Sequence, residues 1–163
     1  MSTGTTVLVV AALLGSSMVG GIFFAFSSFI MGALARLPAP AAIAAMQSIN
    51  VVVLNPSFLG LFMGTAAVSA LLAARAWLHG GTTSAPWVFW GGVAYVVGTF
   101  LVTVLANVPL NNRLAAVSAP DPGAAPVWAH YLRRWVFFNT VRSAAATAAA
   151  LCFAIGLIGG HHA

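Results

Sequence analysis

The stretch Trp128–Gly160 reads WAHYLRRWVFFNTVRSAAATAAALCFAIGLIGG. Its second half, from Ser143, is apolar and rich in small residues, enough to cross a bilayer as a helix. Its first half is a different kind of sequence. Tyr131, Trp135, Asn139 and Arg142 are spaced by four, four and three residues, so on a helix they share one face. An arginine and an asparagine are thereby carried to the rim of a membrane or inside it, where such groups are costly and usually functional. Asp121 is the only acidic residue in the chain, which leaves Arg142 almost no carboxylate to pair with. Arg142 is therefore a candidate receptor for an anionic or polarised oxygen on a ligand.

The rest of the composition agrees with a membrane protein. Over 163 residues, 61% are hydrophobic and 4% charged, with a mean hydropathy of +1.03. The net charge of +5 comes from arginines placed one or two at a time, a set of loop anchors and not a nucleic-acid surface. Cys152 is the single cysteine, so no disulfide can form within the chain.

The periodicity predicts an all-α fold: a four-helix transmembrane bundle in one membrane domain, residues 1–163. Spans are expected at about 6–37, 57–78, 87–108 and 136–158, with a short amphipathic helix at about 41–54 between the first two. The first span has no basic leader and is too long for a cleaved signal. At ~1.5 Å per residue it reaches roughly 48 Å and must tilt or project beyond the ~30 Å apolar core. Gly15, Gly20 and Gly21, and the pair Gly60 and Gly64, would let helices approach closely and make self-association plausible as a homo-oligomer. Asn55-Pro56 has the grammar of a helix start. Pro109 is expected to bend the end of the third span, and the fourth helix restarts at Pro126 after the loop containing Pro120-Asp121-Pro122-Gly123. Four spans put both termini on one side, and the excess of Arg36, Arg113, Arg133 and Arg134 over Arg75 places that side outside a plasma or inner membrane.

This topology brings Gln47, Asn50, Asn55, Asn107, Asn111, Asn112, Arg113, Asn139 and Arg142 to one end of the bundle. Polar groups from four segments meeting at one membrane end have the character of a site. Phe26, in the cluster Phe23, Phe24, Phe26 and Phe29, supplies part of an aromatic wall for a flat ligand.

FFAFSSFIMGAL (23–34), AMQSINVVVLNPSFLGLFMGTA (45–66), NVPLNNRL (107–114) and W-x-x-Y-x-x-x-W-x-x-x-N-x-x-R (128–142) resemble the anthrone oxygenase-like membrane proteins in nearly the whole chain and in the same order. The resemblance implies a small four-helix integral membrane protein. For the assigned members it implies oxidation of an anthrone to an anthraquinone during aromatic polyketide biosynthesis. The residues carried over by motif are Gln47, Asn50, Asn55, Asn107, Asn111, Trp135, Asn139 and Arg142.

The residues suggest compatible chemistry. No CxxC, HxxH or carboxylate cluster offers a metal or haem site, and no glycine-rich fingerprint offers a flavin or nicotinamide site, so no cofactor is expected. An anthrone needs none: its ring-flanked CH₂ tautomerises to a phenol-like form whose anion reacts with O₂. The protein has to supply an apolar slot, a proton acceptor and donors for the developing oxyanion. Arg142, Asn139 and Asn111 are the candidate donors and His130 the candidate base, with Tyr131, Asp121 or a water as alternatives. Gln47, Asn50, Asn55, Asn107, Tyr131, Trp135 and Phe26 would bind the substrate. The competing class is non-enzymatic: a bundle that binds a lipid, a quinone or a partner membrane protein. The near absence of intramembrane carboxylates argues against a proton-coupled transporter.

Overall fold

The computed structural model describes residues 1–121 and 123–160; Pro122 and the tail 161–163, with its two histidines, lie outside them. Every regular element among the described residues is helical. We number them α1 (Thr3–Leu34), α2 (Ala39–Val52), α3 (Pro56–Leu78), α4 (Ala85–Ala115) and α5 (Ala124–Gly159); all but α2 are long and apolar enough to cross a membrane.

Helix ends follow local chemistry. Ser2 Oγ accepts from Thr5 N at α1, and Asn55 Oδ1 accepts from Phe58 N at 2.9 Å to open α3 ahead of Pro56. Helix α1 stops at Leu34, three residues earlier than expected, because Leu37 precedes Pro38 and is driven out of the helical region. Helix α2 begins at Ala39, with Pro40 in the first turn, where its missing N–H costs nothing. The third span, expected to end near Val108, continues beyond Pro109. A wider π-helical stretch covers most of Ala94–Asn107, and the chain then runs through Pro109 as α-helix to Ala115. A proline ring in an α-helix clashes with the carbonyl four residues back, and a wide turn just before it relieves that clash.

Helix α5 is the organising element. It packs most extensively on α1 and also against α4, while α3 bridges α1 and α4, so the four spans close into a ring. Met1 and Gly160 lie at one end, where a Cβ on Gly160 would come 3.1 Å from Met1 Cγ. Helices α1, α4 and α5 are each longer than the apolar core of a membrane requires. Thirty-six residues of α5 extend about 54 Å against an apolar thickness of about 30 Å. Helix α2 tucks under the opposite end, burying Ala42, Ile43 and Met46 with Leu110, Leu114, Trp128, Tyr131 and Trp135 in one apolar cluster. A second cluster fills the terminal half, around Val19, Phe62, Leu72, Tyr95 and Phe153.

Small residues set the helix spacing, though not all those singled out by sequence. Gly15 lies against Thr65 and Gly20 against Ala146, as close approach requires. A methyl group on Gly60 or Gly64 would meet nothing within 4 Å, and both open onto the outer face. The tightest approach of α3 to α4 is instead at Gly92, where a Cβ would meet the Ser69 carbonyl and lie 2.7 Å from Ala73 Cβ. Gly92→Ala is expected to lower stability by about 1–3 kcal/mol through overpacking. Gly21→Ala, which meets nothing within 4 Å, should leave it unchanged or raise it. Thermal unfolding of both variants in detergent tests the pair.

Candidate functional site

Arg142 sits midway between the two apolar clusters, 6% exposed, on the α5 face that also buries Tyr131, Trp135 and Asn139. Measured from Gly159 it lies roughly 26 Å along the helix axis, close to the far boundary of the membrane core. A buried guanidinium ordinarily needs a carboxylate. Asp121, the only acid in the chain, is exposed in the α4–α5 loop, and Arg142 makes no ion pair among the described residues.

Neutral oxygens hold it instead. Nε and Nη2 donate to Asn139 Oδ1 at 3.0 and 2.8 Å, and Nη1 donates to Thr103 Oγ1 at 3.1 Å. Phe23 lies under the guanidinium, ring centroid 3.7 Å from Cζ, and the Trp135 ring is 5.2 Å away. Such faces favour a cation that has lost its water. Of the five N–H donors of the guanidinium, three are thereby engaged. Two take no acceptor among the described residues.

Asn139 has no freedom to turn away. Its Nδ2 donates to the Phe23 carbonyl at 2.7 Å and to Ser27 Oγ at 2.6 Å, which fixes its Oδ1 toward Arg142. These acceptors stand where α1 passes into a π-helical turn over Phe26–Ile30, which loosens the backbone ladder. On the other flank Thr103 donates to the Thr99 carbonyl at 2.7 Å, and Thr99 donates to the Arg142 carbonyl at 3.1 Å. Arg142 is thus held from α1, α4 and its own helix at once.

One turn further out the polar chain continues. Tyr131 and Trp135 both donate to Asn111 Oδ1, at 2.9 and 2.8 Å, and their rings form a stack with Trp128. Phe26 tilts against Trp135 with ring centroids 5.6 Å apart. Asn107 donates to the Trp135 carbonyl at 3.2 Å, but its Oδ1 is buried without a partner. The buried amide of Asn50 lies against the Tyr131 hydroxyl, though outside ideal hydrogen-bond geometry. Asn107 Oδ1 is therefore an orphaned acceptor in the same buried network. Buried polar atoms without partners are uncommon enough to need a reason.

The structure brings together Arg142, Asn139, Asn107, Asn111, Asn50, Tyr131, Trp135 and Phe26. Others play different parts. Gln47 donates to the Leu114 and Val117 carbonyls at 2.8 and 2.9 Å, tying α2 to the end of α4. Asn55 caps α3 and donates back to the Val52 carbonyl, so its amide is consumed locally. His130 is exposed on the outer surface of α5, about 18 Å in axial rise from Arg142. Asn112 and Arg113 are exposed as well. Sequence reasoning misses Thr99, Thr103 and Ser27, although part of the signal is there: Thr99, Thr103, Asn107 and Asn111 recur every four residues. That spacing drifts around a regular α-helix, and the wider turns of α4 hold it on one face toward α5.

No group of three or more His, Cys, Asp or Glu that could hold a metal occurs among the described residues. The donors gathered around Arg142 are amides, hydroxyls and N–H groups, a set that suits an anion better than a cation. Two cavities open elsewhere, one near the termini and one on the outer face of α1 and α3, whereas the side chains around Arg142 are packed closed.

The family model for anthrone oxygenase matches residues 57–152, more than half of the chain. The chain belongs to the anthrone oxygenase family. The matched segment contains Asn107, Asn111, Trp135, Asn139 and Arg142, whereas Asn50, Phe23 and Phe26 come from helices that precede it. Neither a curated protein nor a solved structure matches the chain.

Asn111 carries the outer half of the network. Asn111→Leu would strip the acceptor from two buried donors, and hydrogen bonds within membranes average about 0.6 kcal/mol with a maximum near 1.7. A loss of about 1–3 kcal/mol in unfolding free energy is expected, read by denaturant titration in mixed micelles; no loss would mean that water replaces the amide.

Proposed function

We propose that this protein is a membrane-embedded oxygenase that converts an anthrone-type aromatic to its quinone, with Arg142 at the reacting oxygen. The observation that carries this reading is a buried guanidinium with no acidic partner, two unused N–H donors and aromatic rings on its flank. Family membership supports the reaction class. A polycyclic substrate carrying an acidic ring proton is both apolar enough to arrive from the bilayer and able, once ionised, to supply the negative charge that the site lacks.

In this reading the flat ring system slides between the aromatic stack of α5 and Phe26. Its oxygen accepts from the free N–H groups of Arg142, and a hydroxyl elsewhere on the rings pairs with Asn107 Oδ1. The positive charge stabilises the enolate, so the CH₂ proton passes to water without a strong base. The carbanion form transfers electrons to O₂ and a C–O bond forms, giving a hydroperoxide at the former CH₂ carbon. Loss of water from that carbon leaves the carbonyl of the quinone. One O₂ enters, one oxygen atom stays in the product and the other departs as water. The closed packing at Arg142 requires the neighbouring π-helical turns to shift for the substrate to enter.

The second reading, a non-enzymatic bundle binding a lipid, quinone or partner protein, draws on the same closure: a fully packed polar network can simply strap helices together. Kinetics with purified protein separate the two. O₂ consumption with a hydroxyanthrone should exceed protein-free autoxidation, and Arg142→Ala should cut the enzymatic rate by about 10²–10³, the cost of losing an oxyanion donor. Its elution in size-exclusion chromatography should not change. An unchanged rate, or a variant whose assembly collapses while turnover per folded protein persists, would favour the strap.

A further inference from the structure

The cavity at the terminal end of the bundle is far from Arg142 and has its own chemistry. It encloses about 230 Å³ between the start of α1, the last turns of α3 and the first turn of α4. Arg75 and His79 stand on one wall, Thr5, Thr82 and Ser84 supply hydroxyls, and Leu72, Ala76 and Val88 form an apolar floor. Neither Arg75 nor His79 makes a side-chain hydrogen bond or ion pair among the described residues. Ser84 is 2% exposed; its hydroxyl pairs only with Thr82, at 3.1 Å, and does not cap α4. Helix α3 contributes its C-terminal end, whose dipole disfavours an anion, but Arg75 in its last turn outweighs that half-charge, and the N-terminal ends of α1 and α4 oppose it.

Exposed tryptophans place this cavity at headgroup depth. Trp77 is 74% exposed, Trp90 60% and Trp87 44%, all on the segments that build the cavity mouth, and indoles gather at the membrane–water boundary. The volume falls below the ~300–1,000 Å³ of sites for drug-sized molecules, so it takes a small head and not a polycyclic ring system.

We infer that this cavity binds the phosphate group of an anionic membrane phospholipid, with Arg75 and His79 as its ligands. Hydroxyls of Thr82 and Ser84 donate to the phosphate oxygens, and the apolar floor receives the first carbons of an acyl chain. A free phosphate shares the charged chemistry but not the apolar contact. A lipid seated here would bridge α1, α3 and α4 at the end where α2 gives no support.

The test uses the full chain in detergent, followed by native mass spectrometry with added phosphatidylglycerol, phosphatidylcholine or inorganic phosphate. One phosphatidylglycerol per chain should be retained in preference to phosphatidylcholine. Arg75→Gln with His79→Gln should reduce retention by about 10-fold, as expected for losing charge-assisted hydrogen bonds. Arg75→Lys should stay within about twofold, because an ammonium still serves as a point charge for phosphate. Arg36→Gln, an exposed arginine at the opposite end, should change nothing. Equal retention by the double variant, with its melting temperature unaltered, overturns the proposal. Inorganic phosphate that displaces phosphatidylglycerol fully at millimolar concentration overturns the lipid assignment in favour of a free anion.

Discussion

A guanidinium buried without a counter-ion is the constraint around which this bundle is arranged. Leaving a cation in a medium of low dielectric is expensive, and the chain's one acidic side chain, Asp121, is exposed in the α4–α5 loop and does not offset it. The protein distributes the task over neutral dipoles: one amide oxygen taking two N–H groups, one hydroxyl taking a third, and the face of Phe23 closing the side. Each partner is then held by something else. Asn139 is pinned by α1, Thr103 by Thr99, and Thr99 by the carbonyl of Arg142 itself. The circuit explains why α5 packs so closely on both α1 and α4. It also explains why the charge is not neutralised, only solvated, and neutral solvation is the arrangement that leaves attraction for an incoming anion.

The two π-helical regions belong to the same logic. They occur where α1 gives its Phe23 carbonyl to Asn139 and where α4 presents Thr99, Thr103 and Asn107 to α5. A regular α-helix spends its carbonyls on its own ladder and rotates a four-residue repeat away from a neighbour. Wider turns undo both effects, at the cost of poorer backbone geometry. Irregular backbone at membrane depth survives only where protein covers it, and here α5 does so.

Much of this is legible in the chain. The face of Tyr131, Trp135, Asn139 and Arg142 follows from spacing alone, as does the cap at Asn55 and the four-span architecture, because period and hydropathy are local properties. What cannot be read is how a polar residue divides itself between ligand and scaffold. Gln47 and Asn50 lie three apart on one short helix, yet Gln47 is tied to the carbonyls of α4 while Asn50 lies against the Tyr131 hydroxyl. That difference depends on where α4 ends, and α4 ends late because its wide turns absorb Pro109. His130 is placed by the same helix periodicity: one residue of offset turns a side chain about 100° away, and Tyr131 takes the inward position.

If the protein acts as proposed, the close packing at Arg142 bears on how it admits a rigid polycycle. A preformed cavity at that depth would fill with lipid tails or with water, and water would screen the very charge the site preserves. A closed network avoids both, and its orphaned atom, Asn107 Oδ1, marks a place where closure is incomplete. Under the proposed function, a ligand that supplies a hydrogen-bond partner to such an atom recovers on binding what the empty state lacks. Opening would then be driven by the ligand's polar groups rather than by its hydrophobic area, which it would bury equally well in the bilayer. On that proposal, an oxygenated aromatic would be selected over the surrounding lipid.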